Sequence, residues 1–272
     1  MSKQLKPLTI PPTPAIPPTP AIPQIPSIPR STLKRILKDI IDLDNDPIPG
    51  IYIHANEDNI RDIRCLIVGP QGTPYEGGFY MFQIDMPSTY PAVPPSAKFL
   101  TTDGRIRFHP NLYACGKICL SILGTWSGPS WSPVMTLKSI VLSLQSLLGN
   151  ENPIQCEPGF ETENPTQLRN RNYNAVVSYN NIKYAVCQMI KTPALPEFAT
   201  HIESIFLQNV AQYQALLETL QKKQESESVG KDGTTIALKP TKTFYGMKYT
   251  VDYSTLSYPT STPMSTPMST PT

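Results

Sequence analysis

Proline decides where this chain is able to fold. The ring fixes φ and removes a backbone donor, so a proline-dense stretch supports neither a regular helix nor a central strand. Ten of the 31 prolines lie between Pro7 and Pro29. From Pro11 they recur at 14, 17, 20, 23, 26 and 29, a strict period of three that lines one ridge of a polyproline II helix. The hexamer Pro-Pro-Thr-Pro-Ala-Ile occurs twice, at 11–16 and 17–22. Such an arm is either a ligand for an SH3-like domain, through its P-x-x-P registers, or a stiff spacer. The last dozen residues, a Ser-Thr-Pro-Met repeat, bury as little apolar surface as the arm does. The sequence therefore divides into an arm (1–30), a core (31–192), a helical extension (193–222) and a low-complexity tail (223–272). Within the tail, the aromatic segment 244–258 is suited to docking on the core.

Inside those limits the pattern is α+β. Ser31 and Thr32 suit a helix N-cap, and Leu33, Ile36, Leu37, Ile40 and Ile41 follow at helical spacing up to Pro47. Strand-like runs come next at Ile51–His54, Ile63–Val68, Phe79–Met86 and Ala97–Leu100. Short turn clusters separate them, which favours a four-stranded antiparallel meander over parallel crossovers. After a long loop from about Thr101 to Pro133, Thr136 caps a helix that Gly149 stops. Pro165 opens a third helix ending near Thr192, and Pro196 opens a fourth that continues through Leu217. Helices thus flank the strands rather than alternate with them.

Composition excludes several classes. A net charge of +2 leaves no electrostatic footprint for nucleic acid or a membrane surface. No run reaches the roughly 18 apolar residues of a membrane span, and proline interrupts any apolar core of a signal peptide. Five cysteines, at 65, 115, 119, 156 and 187, are an odd, scattered set unlike a disulfide framework. A reducing compartment, cytoplasmic or nuclear, is expected. Cys115 and Cys119 have no second Cys or His pair at ligand spacing, so no metal is expected. Cys65, Cys156 and Cys187 read as structural.

A loop of about thirty residues inside a compact domain is usually functional. This one carries His109-Pro110-Asn111, then Ile118-Cys119-Leu120, then Trp131-Ser132-Pro133 before the next helix. Upstream stand Tyr75-Glu76-Gly77-Gly78 and Tyr90-Pro91-Ala92-Val93-Pro94-Pro95. Five motifs in this order resemble the ubiquitin-conjugating enzyme family over about residues 31–192. The longer stretch between Cys119 and Trp131, with Glu157-Pro158-Gly159-Phe160 and Asn172-Tyr173-Asn174 downstream, is similar to the long-tailed subtype lettered Z. The large conjugating enzymes with built-in ligase activity share the Cys-Leu-Ser-hydrophobic-Leu-Gly-Thr-Trp loop.

The resemblance implies the ubiquitin-conjugating fold and a thioester enzyme. Cys119 matches the acceptor of the C-terminal carboxyl of ubiquitin or a ubiquitin-like protein, delivered by an activating enzyme that alone uses ATP. The conjugating chain itself needs no cofactor. Asn111 matches the residue that either donates to the developing oxyanion or holds the loop, and His109 matches a loop anchor rather than a base. An Asp two residues after the acceptor, common in the family, is Ser121 here. Glu157, Glu161 and Glu163 are the candidates for a carboxylate across the cleft that would activate an incoming lysine. Lys34, Arg35 and Lys38 lie on the helix that helps dock the activating enzyme. Ala92, Pro133 and Val134 lie on ligase-facing loops; Ala92 and Val134 depart from the usual Phe and Ala, which implies a narrow or absent ligase set. The alternative of another class is a catalytically idle, ubiquitin-binding scaffold on the same fold.

Overall fold

The structure, a computed structural model, describes residues 28–228 and 240–259. The possible SH3-like ligand in the proline arm up to residue 27, and the Ser-Thr-Pro-Met repeat, lie outside the described residues. Helix α1 (Arg30–Asn45) precedes strands β1 (Ile51–Ala55), β2 (Asp62–Val68), β3 (Phe79–Asp85) and β4 (Ser96–Phe99). The strands form an antiparallel meander in the order β1-β2-β3-β4. Helices α2 (Leu137–Leu148) and α3 (Leu168–Asn180) follow the long loop. This is the α+β arrangement that the resemblance implies.

The central strands are buried on both faces. Ile63, Cys65 and Ile67 of β2 and Tyr80, Phe82 and Ile84 of β3 join the core made with α2 and α3. The alternate residues Leu66, Phe79 and Met81 face a second core built from Phe198, Ile202, Phe206 and Tyr213. The C-terminal helices therefore cover the face that an antiparallel sheet often leaves to water. Gly78, beside β3, makes room for this layer: a Cβ there would stand 2.0 Å from Asn181 Oδ1. The Asn181 amide ties the two together, accepting from Tyr80 Oη and donating to the Glu76 carbonyl.

Four details depart from the sequence reading. Helix α1 begins at Arg30 after Pro29, and Thr32 does not cap it. Its hydroxyl instead reaches the carbonyls of Ser88 and Tyr90, inside the core. The buried stripe of α1 is Thr32, Ile36, Asp39 and Leu43, so Leu37 and Ile41 face outward, 41% and 54% exposed. Two polar residues with satisfied hydrogen bonds have taken positions that apolar spacing assigns to leucine and isoleucine. The third helix starts at Leu168 rather than Pro165 and passes into an eight-residue π-helical stretch, Asn181–Gln188, before ending at Lys191. The fourth is broken: a turn at Pro196–Phe198 leads into Ala199–Gln208, and a new helix runs Val210–Glu227, past the expected end of the extension. Asn209 sits at the break, its amide donating to the Ile205 carbonyl, a local bond that competes with helix continuation.

Asp39 joins three segments. Its carboxylate, 1% exposed, accepts from Arg35 Nε at 2.9 Å, from the Tyr90 hydroxyl, and from the Leu137 backbone N–H at the start of α2. Removing this carboxylate strands the buried Tyr90 hydroxyl and Leu137 N–H and deprives Arg35 of its ion pair. Asp39→Ala is expected to cost about 3 kcal/mol or more in denaturant unfolding. Asp42→Ala, which breaks only the exposed pair with Lys38, is expected to cost less than about 1 kcal/mol. Equal losses would mean that Asp39 is not the junction the geometry describes.

Candidate active site

The long loop is more ordered than its composition suggests. Leu112 bridges to His109 on one side and to Ile118 on the other, making a small hairpin whose tip turns at Gly116. Gly116 has φ +89, and a Cβ there would stand 2.8 Å from the Phe99 carbonyl at the end of β4. Its own carbonyl accepts from Phe99 N at 2.9 Å, so the hairpin is pinned to the sheet just before Cys119. After Cys119 a 3-10 turn, Ser121–Leu123, is closed by Thr125, whose hydroxyl bonds both the N–H and the carbonyl of Leu120.

His109, Asn111 and Cys119 come together through the backbone. Cys119 N donates to the Asn111 carbonyl at 2.9 Å, and Asn111 Nδ2 donates to the Cys119 carbonyl at 2.8 Å. Asn111 N in turn donates to His109 Nδ1 at 2.9 Å. That ring nitrogen is therefore an acceptor, and the neutral imidazole carries its proton on Nε2. Complete burial, helped by the charge of Arg107, pushes the His109 pKa down to about 3. A neutral, engaged ring anchors the loop and is not available as a base. Tyr75, from the Tyr-Glu-Gly-Gly motif, adds a further tie: its hydroxyl donates to the Phe108 carbonyl at 2.8 Å.

Cys119 itself is 2% exposed, so an acyl donor reaches its sulfur only if neighbouring chain gives way. Cys115, four residues earlier, is exposed. All five cysteines are free thiols, and among the described residues no cluster of side chains suits a metal ion. No helix among them is long and apolar enough to cross a membrane.

The three glutamates fare differently. Glu157 accepts from the Tyr245 hydroxyl at 2.6 Å and lies 3.9 Å from Arg107. Glu163 is 3.2 Å from Arg169 Nε. Glu161 is exposed, and hydrogen bonds from its own and Gly159's backbone N–H lower its pKa. A carboxylate stabilised in that way is a weaker base.

On the far side of α1, the loops of Ala92 and of Pro133–Val134 are bound into one surface. Trp131 Nε1 donates to the Pro91 carbonyl at 2.7 Å, and its ring lies against Tyr90. Arg35 donates to the carbonyls of Pro133 and Met135. Its guanidinium is thus engaged in holding this surface. Lys38 pairs with Asp42, whereas Lys34 is exposed. Ala92 is exposed, and Val134 is 83% exposed.

Sequence reasoning missed Arg107 and Thr125, which brace the loop from either end. Arg107 carries no pattern of its own, and Thr125 stands in the Leu-Gly-Thr-Trp run without any sign there of its hydrogen bonds to the Leu120 backbone. Exposure predicts an order of thiol reactivity. Iodoacetamide, followed by peptide mass mapping, is expected to label Cys115 first, Cys119 more slowly, and Cys65, fully buried with its pKa raised, only on unfolding. Labelling of Cys119 as fast as Cys115 would show that its sulfur is open to solvent.

Comparison with known proteins places this geometry. The ubiquitin-conjugating enzyme family model matches residues 35–162. Ubiquitin-conjugating enzyme E2 Z of Xenopus tropicalis is 45% identical over 158 residues, which is 58% of this chain and 50% of that protein. The Homo sapiens protein of the same name is 43% identical over 180 residues, 65% of this chain and 50% of its own length. A probable ubiquitin-conjugating enzyme of Caenorhabditis elegans, protein 17, is 39% identical over 176 residues, 61% of this chain and 24% of its own. The chain thus spans about half the length, or less, of these curated relatives. The fold, the ordered motifs and these matches agree that residues 35–162 form a domain similar to the ubiquitin-conjugating enzyme family, and to its Z subtype within it.

Proposed function

We propose that Cys119 accepts ubiquitin or a ubiquitin-like protein from an activating enzyme and passes it to a lysine amine or to a ligase cysteine. The observation that carries this reading is the reciprocal pair of hydrogen bonds between Asn111 and Cys119. It holds one thiol-bearing residue beside one carboxamide.

The first step needs little from the protein. A Cys119 thiolate attacks the thioester carbonyl on the activating enzyme; the new C–S bond forms as the old one breaks, and the activating enzyme's cysteine leaves as a thiolate. Thiolate sulfur is intrinsically a strong nucleophile, and exchange between two thioesters is nearly isoenergetic, so no strong base is needed. ATP is used by the activating enzyme, and the reaction here requires no cofactor or metal. The second step is harder. A lysine nitrogen forms the C–N bond, Cys119 leaves as thiolate, and the amine gives up a proton. An unperturbed lysine of pKa ~10.4 is only ~0.1% neutral at pH 7.4, so a nearby base matters. Ser121 is not one, Glu157 and Glu163 are engaged, and Glu161 is a weakened base. Transfer to a thiol acceptor, which needs no such base, is therefore the favoured route. The reaction belongs in a reducing compartment, cytoplasmic or nuclear. Lys34 and the outer face of α1 would receive the activating enzyme, and Ala92, Pro133 and Val134 a ligase.

The slight exposure of Cys119 favours one second reading, an idle scaffold that binds ubiquitin without accepting it. Charging decides between them. Incubation with activating enzymes, ATP and a panel of modifiers is expected to give a thiol-labile adduct, absent in Cys119→Ala and converted to a thiol-resistant oxyester in Cys119→Ser. Charging that persists in Cys119→Ala overturns the assignment, and no charging of the unmodified protein by any pair supports the scaffold.

Asn111 should separate the two half-reactions. Losing one oxyanion donor typically costs ~2.7–4 kcal/mol, or roughly a hundred- to thousandfold in rate. Asn111→Ala is expected to charge near-normally and to discharge that much more slowly. Equal slowing of both steps, with a large drop in melting temperature, would make Asn111 a brace for the loop alone.

A further inference from the structure

The family match ends at residue 162, yet a segment more than eighty residues further along the chain grips the loop that holds Asn111. Strands β5 (Thr241–Lys242) and β6 (Lys248–Tyr249) pair as a small hairpin. Thr243 N donates to the Met247 carbonyl and Gly246 N to the Thr243 carbonyl, so the hairpin end is tightly closed. Phe244 packs edge-on against Phe160, with Arg169 above both rings. Tyr245 packs against Tyr173 and donates to Glu157 Oε2.

Arg107 stands at the centre of this contact. Its guanidinium lies 3.8 Å from the ring centroid of Tyr113 and 4.0 Å from that of Tyr245. Tyr113 belongs to the hairpin just before Cys119, whereas Tyr245 belongs to the C-terminal segment. Glu157 Oε2, already holding the Tyr245 hydroxyl, is 3.9 Å from Arg107 Nη2. Met247 Sδ lies 3.2 Å from the Arg107 backbone N–H, and the Tyr173 hydroxyl donates to the Arg107 carbonyl at 2.9 Å. Held in this way, Arg107 donates from Nε and from Nη2 to the Pro110 carbonyl. That carbonyl belongs to the Pro110–Asn111 peptide, whose N–H is donated to His109 Nδ1. Both ends of the peptide that carries Asn111 are thereby fixed, one by His109 and the other by Arg107. The Asn111 carboxamide then meets the Cys119 carbonyl.

We infer that the hairpin around Tyr245 is a working part of the cysteine site, and that Arg107 and Tyr245 are positioning residues which aim Asn111 at the acyl group on Cys119. The inference rests on the thioester reading above. The alternative, a tail that merely adds buried surface, predicts a loss of stability and no selective effect on either half-reaction. An arginine between two aromatic faces that also donates twice to one carbonyl has its orientation over-determined. Lysine has neither the planar fork nor the second donor in the same geometry. Glu157, by this assignment, orients Tyr245 and Arg107 and takes no part in activating lysine.

The test uses the full chain with Tyr245→Ala, Tyr245→Phe and Arg107→Lys. Three measurements accompany each variant: melting temperature, amide hydrogen exchange across residues 107–120, and separate rates of charging and of single-turnover discharge to free cysteine and free lysine. Displacing a reacting group by ~1 Å can cost about a hundredfold, so a partial loosening of Asn111 should slow discharge by about tenfold. Tyr245→Ala and Arg107→Lys are expected to slow discharge by that factor with charging nearly unchanged, and to speed exchange at Cys119 N–H. Tyr245→Phe, which keeps the ring over Arg107, is expected to restore most of the discharge rate. Unchanged discharge and exchange in Tyr245→Ala, or equal loss of both half-reactions in step with melting temperature, overturns the inference. If the unmodified protein does not charge at all, the thioester reading fails instead, and the exchange data decide the clamp separately: faster exchange in Tyr245→Ala at unchanged melting temperature upholds it, and unchanged exchange overturns it.

Discussion

Asp39 lies almost wholly out of water and accepts hydrogen bonds from Arg35, from Tyr90 and from the first N–H of α2. Each donor belongs to a different segment. Arg35 reaches on to the Pro133 and Met135 carbonyls, and Tyr90 precedes the loop of Ala92 that Trp131 fastens from the other side. The surface of Ala92, Pro133 and Val134 is therefore tied, through Arg35 and Tyr90, to the buried carboxylate of Asp39. A buried carboxylate is tolerable only when its acceptor sites are filled, and here three donors fill them. The same requirement explains why α1 turns Leu37 and Ile41 outward, since its inner face is committed to Asp39 and Thr32.

The cysteine site is built on a similar principle with weaker parts. None of its groups is a strong base, and His109 is locked as a neutral acceptor. Order comes from backbone bonds that run from His109 to Asn111 to Cys119, reinforced by Tyr75 from one side and Arg107 from the other. A site of this kind suits a reaction whose leaving group and nucleophile are both thiolates, where placement of the carbonyl matters more than proton transfer. It suits poorly attack by an amine, which must first lose a proton to become a nucleophile, and this accords with Ser121 standing where a carboxylate is common in the family.

Much of this was legible in the residues, and the exceptions have physical causes. The four strands fall within about a residue of their expected limits, because alternating apolar runs bounded by Gly and Pro clusters leave little freedom of register. The long loop was visible through its ordered motifs. Periodicity failed where polar side chains are buried. Thr32 and Asp39 occupy core positions of α1 because their partners lie 50 to 100 residues away, beyond any local window. The pairing of Arg107 with Tyr245 was unreadable for the same reason, since the two residues that share this stacking contact are 138 apart. The break at Asn209 depends on a single side-chain bond to Ile205, too small a signal against a helical pattern on both sides.

The site of the acyl bond is the most direct measure of the central claim. Cys115 is exposed and only four residues from the nearly covered Cys119, so exposure and motif point to different thiols. After charging, the adduct can be digested under non-reducing, mildly acidic conditions and the modified peptide sequenced by mass spectrometry. The C-terminal glycine carboxyl of ubiquitin, or the C-terminal carboxyl of a ubiquitin-like protein, is predicted on the Cys119 sulfur alone. An acyl group on Cys115, or on a lysine with Cys119 left as a free thiol, would contradict it.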